Sequence, residues 1–197
     1  MKIGKKWLAG IGALALSMGV FGSAFAAGQS ELAEVRRITT KYHDVNVAIA
    51  EGYTPTDVNA AIPEVATMGF HYINFNALAD PEIDPAKPEV LIYVPAKDNK
   101  DGVRLVAVEY VVAAEDWSID DGQTVFEGWE GDEPPSIFGQ TFEGPMHGHA
   151  PGEPVHYDKH VWLWQANPKG FNIDEEGNFT YHIPGIFSQW NPTISQK

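Results

Sequence analysis

A single acidic residue, Glu109, interrupts the strongly apolar stretch GVRLVAVEYVVAA at residues 102–114. The β-branched residues of this stretch, and the glycine that opens it, predict a β-strand. Because side chains alternate between the two faces of a strand, Glu109 should share one face with Leu105, Ala107 and Val111. A carboxylate on that face is either exposed to solvent or, if the face is buried, must be paired, hydrogen-bonded or bound to a metal.

Two runs before this stretch have a similar composition. TMGFHYINFNAL (67–78) and PEVLIYVPA (88–96) are both predicted to be strands. The turn-forming sequence AKDNKDG leads from the second run into residues 102–114 and predicts a hairpin. The polar, proline-containing segment before residue 67 is predicted to be a connection.

After residue 114 the chain is acidic and rich in turn residues as far as residue 146. Tryptophans break up the charge, which favours an ordered covering loop over a linker. Strands are predicted again for PVHYDKHVWLWQ (154–165) and, more briefly, for FTYHIP (179–184).

The segment SELAEVRRITTKYHDVNVAIAE (30–51) has apolar residues at steps of three and four. This spacing predicts one amphipathic helix, with Ser30 as its N-cap and Gly52 as its stop. Together these segments predict an α+β fold, in which the N-terminal helix packs on a mainly antiparallel β-sheet with long loops.

The first 26 residues are typical of a secretory signal peptide. Lys2, Lys5 and Lys6 precede an apolar run, and Ala24 and Ala26 have the A-x-A spacing that a signal peptidase accepts. We therefore expect a mature chain that begins near Ala27 and forms one globular domain over residues 27–197. The expected location is secreted or periplasmic, without stable membrane insertion after cleavage.

The chain is strongly acidic. It has 13 basic and 27 acidic residues, and loss of the predicted signal peptide leaves ten basic residues and a net charge of −17. Nucleic acid is an unfavourable partner for such a chain because phosphate binding requires clustered lysine and arginine. Small cations, in contrast, are concentrated near it.

Four of the seven histidines lie within GPMHGHAPGEPVHYDKHVWLW (144–164), at positions 147, 149, 156 and 160. On a strand, His156, Asp158, His160, Trp162 and Trp164 would point to one face. A straight strand separates His156 from His160 by about 13 Å at roughly 3.3 Å per residue. The two imidazoles can then share one metal only if the segment bends.

These observations predict a metal site. The chain has no cysteine, so the ligands must be nitrogen and oxygen atoms. The predicted ligands are His71, Glu109, His149, His156 and His160, a set suited to Zn, Cu, Mn or Fe. Asp158 is predicted to orient an imidazole or to act in acid–base chemistry.

Other functions stay open at this stage. The metal could serve a hydrolytic or a redox enzyme. The protein could instead be a non-catalytic module that binds a small ligand or a cell-wall component through its tryptophans, or a metal-free enzyme with a His–Asp pair. In the simplest alternative, the histidines only form hydrogen bonds within a loop.

Several blocks resemble a group of uncharacterised secreted bacterial proteins: MGFHYIN, LVAVEYVV, PPSIFGQTFEGPM, HAPGEPVHYDKHVWLWQANPKG and WNP. The group carries similar blocks in the same order, with counterparts of every predicted ligand and of Asp158, whereas His147 is often replaced. This implies a shared site without naming a reaction. HGHAPGE also resembles part of the first cupin motif, although the glycine that precedes that motif is misplaced here.

Overall fold

The computed structural model describes residues 19–119, 122, 124–174, 177–181 and 185–194, with side chains from residue 29 onwards. Residues 1–18, which form most of the predicted signal peptide, lie outside the described residues. No helix in the described part of the chain has the length and apolar character that a membrane crossing requires.

The segment predicted as one helix over residues 30–51 is divided into three. Its parts are α1 (Gly19–Thr39), a 3₁₀ turn (Thr40–His43) and α2 (Val45–Ala50). The hydroxyls of Thr39 and Thr40 donate hydrogen bonds back to the carbonyls four residues earlier, which weakens a helix at that point. Asp44 is extended, and its side chain caps α2 by accepting a hydrogen bond from the Asn46 amide. Two short helical turns follow later, α3 (Phe75–Leu78) and a second 3₁₀ turn (Gly185–Phe187).

The described residues form a mainly antiparallel β-structure, as predicted. Its strands are β1 (Thr54–Ile62), β2 (Ala66–Ile73), β3 (Val90–Pro95), β4 (Val103–Ala113), β5 (Ser136–Ile137), β6 (Gln140–Thr141), β7 (Glu143–Met146), β8 (His156–Val161), β9 (Phe171–Ile173) and β10 (Phe179–Tyr181). Six of them form a half-barrel in the order β1-β2-β3-β4-β8-β7, and every neighbouring pair is antiparallel. The predicted hairpin is confirmed as β3–β4.

Besides the divided helix, three segments before β8 differ from the sequence prediction. The acidic stretch predicted as a covering loop as far as residue 146 contains β5, β6 and β7. The segment before residue 67 is not a connection but β1, an edge strand whose polar composition and bulge after Pro55 hide its character. The strand predicted for residues 67–78 ends at Ile73. Asn74 stops it because its side chain accepts hydrogen bonds from two backbone amides of α3.

A bulge in β4 corrects the predicted face of Leu105. Ile92 pairs with Ala107 and Tyr93 pairs with Leu105, so Val106 is an extra residue in β4. The bulge reverses the alternation at this point. Leu105 therefore packs in the cluster of Tyr110, on the face opposite Glu109.

Each face of the half-barrel covers its own buried cluster. The tyrosine face packs Leu91, Tyr93, Val108, Tyr110 and Val161. The histidine face packs Ile73, Val90, Ile92, Ala107, Val111 and Trp162. The histidine face is named for the buried side chains of His71, His156 and His160, which lie among these apolar residues.

The predicted alternation along β8 holds as far as Trp162. Tyr157, Val161 and Leu163 pack on the tyrosine face, opposite His156, Asp158 and His160. The prediction for Trp164 was wrong, because the strand ends at Val161 and the chain turns. The Trp164 ring lies against the tyrosine-face cluster and contacts His43, with ring centroids 4.4 Å apart.

Candidate metal centre

Strand register brings the predicted residues to one face of the half-barrel. Glu109 on β4 lies directly opposite His160 on β8, and Val111 lies opposite Asp158. His71 on β2 pairs with Ile92 on β3, which in turn pairs with Ala107 on β4. All these positions share the histidine face, so His71 reaches Glu109 across β3.

The Glu109 carboxylate lies at the centre of the cluster. Its Oε2 is 3.4 Å from His71 Nε2, and its Oε1 is 3.6 Å from His160 Nδ1 and 3.9 Å from His149 Nδ1. Neither oxygen makes a hydrogen bond with a described residue. The carboxylate therefore faces three imidazoles without being satisfied by any of them.

Six side chains approach closely enough to share metal ions, and they fall into two sets. Within each set, one ligand atom per residue lies within 4.8 Å of the others. The sets are Glu109/His149/His156/Asp158 and His71/Glu109/His160. Every predicted ligand belongs to at least one set. Asp158, predicted only as an orienting residue, lies among the candidate ligands.

The cluster is almost completely removed from solvent. His71, Glu109, His156, Asp158 and His160 have no exposed surface, and the His149 side chain is 16% exposed. Buried polar atoms normally have hydrogen-bond partners. Here eight of them have none among the described residues: Nδ1 and Nε2 of His71, Oε1 and Oε2 of Glu109, Nδ1 of His149, Nε2 of His156, and Nδ1 and Nε2 of His160.

Neighbouring residues orient the cluster. His156 Nδ1 lies 2.9 Å from the Pro154 carbonyl, which leaves Nε2 directed at the cluster. Gln189 donates from Nε2 to both oxygens of Asp158, at 3.0 and 3.1 Å. Glu153 accepts hydrogen bonds from the His149 and Ala150 amides and closes the loop that carries His149.

Burial determines the protonation states of the cluster. It raises the pKa of Glu109 well above its usual range, and the nearby Asp158 carboxylate adds to this. Burial also lowers the pKa of His71 well below its usual value and that of His160 to about 4. For Asp158, burial acts to raise the pKa, but the imidazoles around it outweigh this and lower it. His71 and His160 are thus neutral at pH 7, which is the form that binds metals.

The donor set fits a divalent transition metal. Imidazole and carboxylate ligands suit Zn, Cu, Mn and Fe. A cation among these groups would balance the negative charge of the buried carboxylates and would be bound by imidazole nitrogens that have no hydrogen-bond partner. The described residues can therefore hold a metal ion.

Other predicted features lie elsewhere. His147 is exposed and belongs to neither set. The tryptophans pack separately: Trp162 donates to the Ser188 carbonyl in the core, Trp117 contacts Phe126, and Trp190 stacks on Phe171. His160 Nδ1 and Asp158 Oδ2 are 3.6 Å apart, and both residues are buried.

Gln189 was missed by the sequence analysis. It lies on no predicted element and is separated from Asp158 by 31 residues, so no local pattern marked it. Besides holding Asp158, it lines a cleft of about 550 Å³ together with Glu143, Met146, Asn172 and Thr180. The cleft therefore adjoins the cluster through one shared side chain.

Comparisons of the chain with family models, curated proteins and solved structures gave no match. The function is therefore argued from the geometry of the cluster.

Proposed function

We propose that the protein is a secreted metal-binding protein whose histidine-face cluster holds a divalent transition metal. The observation that carries the proposal is the convergence of four imidazoles and the Glu109 carboxylate, which together have eight buried nitrogen and oxygen atoms without hydrogen-bond partners among the described residues. A hydrogen-bonded histidine network would satisfy such atoms internally. Bound metal can satisfy one nitrogen of each imidazole and the oxygens of Glu109, because a neutral imidazole and a carboxylate each offer a lone pair to a cation.

Metal content tests the proposal directly. The mature protein, purified without a histidine tag, is analysed by mass spectrometry for bound metals before and after chelation. Thermal unfolding is then followed as Zn, Cu, Mn and Fe are added back. We expect stoichiometric metal that chelation removes and at least one ion that raises the unfolding temperature. Neither result would be obtained if the cluster were only structural.

The loop before β8 provides a matched pair of variants. His149 belongs to a ligand set, whereas His147, two residues away, is exposed and belongs to none. We expect His149→Ala to reduce metal occupancy and His147→Ala to leave it unchanged. Equal occupancy in the two variants would contradict the assignment of His149.

A hydrolytic or redox activity at the metal is the second candidate function. The observations that favour it are the three-residue set His71/Glu109/His160, which leaves coordination positions open, and the cleft that adjoins the other set through Gln189 and Asp158. A bound ion would there supply Lewis-acid, water-activating or redox chemistry. Cobalt-substituted protein tests this candidate: added azide should change the visible spectrum if a position is open and should leave it unchanged if the coordination is closed.

Export and N-terminal processing form the remaining part of the proposal. Cleavage after Ala26 would leave the second half of α1, whose Leu32 and Val35 belong to the buried tyrosine-face cluster. We propose that this half packs on the sheet in the mature protein. Intact mass measurement of the exported protein should give a chain that starts at Ala27, and a chain that keeps Met1 would contradict this.

A further inference from the structure

We propose that the cluster is a dinuclear centre in which the Glu109 carboxylate bridges two metal ions. This inference rests on the proposed metal-binding function and adds the number of ions and their arrangement. His149, His156 and Asp158 would hold the first ion, and His71 and His160 the second, with Glu109 serving both.

The first argument is the spread of the ligand atoms. Metal–ligand bonds to nitrogen and oxygen are about 2.0–2.2 Å long, so two atoms on the same ion are at most about 4.4 Å apart. The six side chains do not form one group even at a separation of 4.8 Å. They form two groups, and Glu109 alone belongs to both. In this arrangement one ion cannot reach all six residues.

The second argument comes from the backbone of β8. The strand pairs with β4 residue by residue, from Val161 opposite Val108 to His156 opposite Ala113, without a bulge. His156 and His160 are therefore about 13 Å apart along the strand. Both side chains approach Glu109 in spite of this separation, but their ligand atoms fall into different sets.

The third argument is that the Glu109 carboxylate contacts imidazoles of both sets. Its Oε2 is nearest to His71, and its Oε1 is nearest to His160 and His149. Both oxygens thus have ring nitrogens within 4 Å and no hydrogen bonds. A carboxylate with two oxygens that lack hydrogen bonds and lie near imidazoles of both sets can bridge ions about 3.5–4 Å apart, the usual spacing in two-metal sites.

The two positions should differ in affinity. The first set supplies two imidazoles and both carboxylates, which is enough for four-coordinate binding. The second set supplies two imidazoles and only the shared carboxylate, so it offers less negative charge and one ligand fewer. The second ion should therefore bind more weakly and should be removed first by a mild chelator.

Metal stoichiometry and magnetic coupling test the dinuclear centre in the full-length mature protein. Metal-free protein is titrated with Mn²⁺ by calorimetry, and the loaded protein is examined by electron paramagnetic resonance. We expect two binding steps and a spectrum broadened by exchange between neighbouring ions. A single equivalent with an uncoupled spectrum overturns the dinuclear centre but leaves the proposed function intact, whereas no binding of Mn²⁺, Zn²⁺, Cu²⁺ or Fe²⁺ overturns both.

Variants assign the two positions. His71→Ala should bind one equivalent with an uncoupled spectrum, while His147→Ala should keep two equivalents and the coupling. His160→Ala serves as a second variant of the same position if His71→Ala unfolds, and circular dichroism monitors folding. Two tightly bound, coupled ions in a folded His71→Ala or His160→Ala variant would overturn the assignment.

Discussion

On the tyrosine face, buried hydroxyls donate to backbone carbonyls: Tyr53 to Pro88, Tyr93 to Tyr42 and Tyr110 to Pro85, at 2.6 to 2.8 Å. On the histidine face of the same strands, the imidazoles and the Glu109 carboxylate have no such partners. Leaving a buried polar group unpaired costs about 1–3 kcal/mol. The three tyrosine hydroxyls are therefore satisfied where they support packing. Of the fifteen buried side-chain atoms without hydrogen-bond partners among the described residues, eight lie in the cluster, where a ligand can satisfy them.

The largest expected effect is the stabilisation of the histidine face by metal. An ion that binds only the folded state adds about 4 kcal/mol to the free energy of unfolding at a free concentration of 1,000 times its Kd. Glu109→Gln should lose this gain. Without metal the same variant should be more stable than the wild type at pH 7, because burial raises the pKa of Glu109 and disfavours its ionised form.

Denaturant unfolding of both proteins, with metal and with chelator, checks this reversal. The comparison of the two faces would fail if Glu109→Gln were destabilised equally in both conditions, because Glu109 would then be an ordinary packing residue.

Glu89 offers a buried carboxyl outside the cluster. Its Oε2 accepts a hydrogen bond from the Val111 amide at 2.9 Å, and burial raises its pKa to about 8. Because the folded-state pKa lies above the unfolded value, the stabilising contribution is complete below about pH 4.5 and is lost as the pH rises towards 8. The loss is at most about 1.4 kcal/mol per pH unit.

Glu89→Gln should remove this part of the pH dependence. Chelated wild type and variant are unfolded by denaturant at pH 5, 6, 7 and 8, and the difference between them should favour the variant increasingly as the pH rises. Parallel curves would mean that Glu89 is ionised in the folded protein.

Gln189 supports the histidine face indirectly. It is buried and donates to both Asp158 oxygens, and removing such an orienting partner typically weakens metal binding by about 10–100-fold. We expect Gln189→Leu to raise the metal Kd by this factor, measured by competition with a coloured chelator. Gln140→Leu, in the separate β5–β6 hairpin, is the matched control, and an equal effect in both variants would remove Gln189 from the site.

The sequence predicted which residues belong to the candidate site, but it did not predict that they form two ligand sets. Glu109 was informative because a lone carboxylate in an apolar strand requires a reason, and the period of two along β8 correctly put His156, Asp158 and His160 together. Their position on the same face as Glu109 depends on the pairing of β4 with β8, two strands separated by a long acidic segment. The sequence of neither strand indicates which distant strand it pairs with.

The failures in the predicted fold likewise depend on how the strands pair in the sheet. The bulge at Val106 depends on the register with β3, so the alternation of apolar residues alone gave the wrong face for Leu105. The edge strand β1 was missed because an edge needs few apolar residues. The sequence around Asp158 is compatible both with a metal ligand and with a residue that orients a ligand. Only the strand register, which brings Asp158 close to Glu109, places it in a ligand set.

Tyr110→Phe tests the satisfied face and should have the smallest effect. The variant leaves the Pro85 carbonyl without its donor but keeps the ring, so we expect a loss of about 1 kcal/mol in the free energy of unfolding. Metal content should not change, although Glu109 is the adjacent residue, because the two side chains point to opposite faces. Unfolding by denaturant and metal analysis of the same preparation check both parts. A loss of metal in Tyr110→Phe would show that the two faces are coupled through β4 and would break the comparison between them.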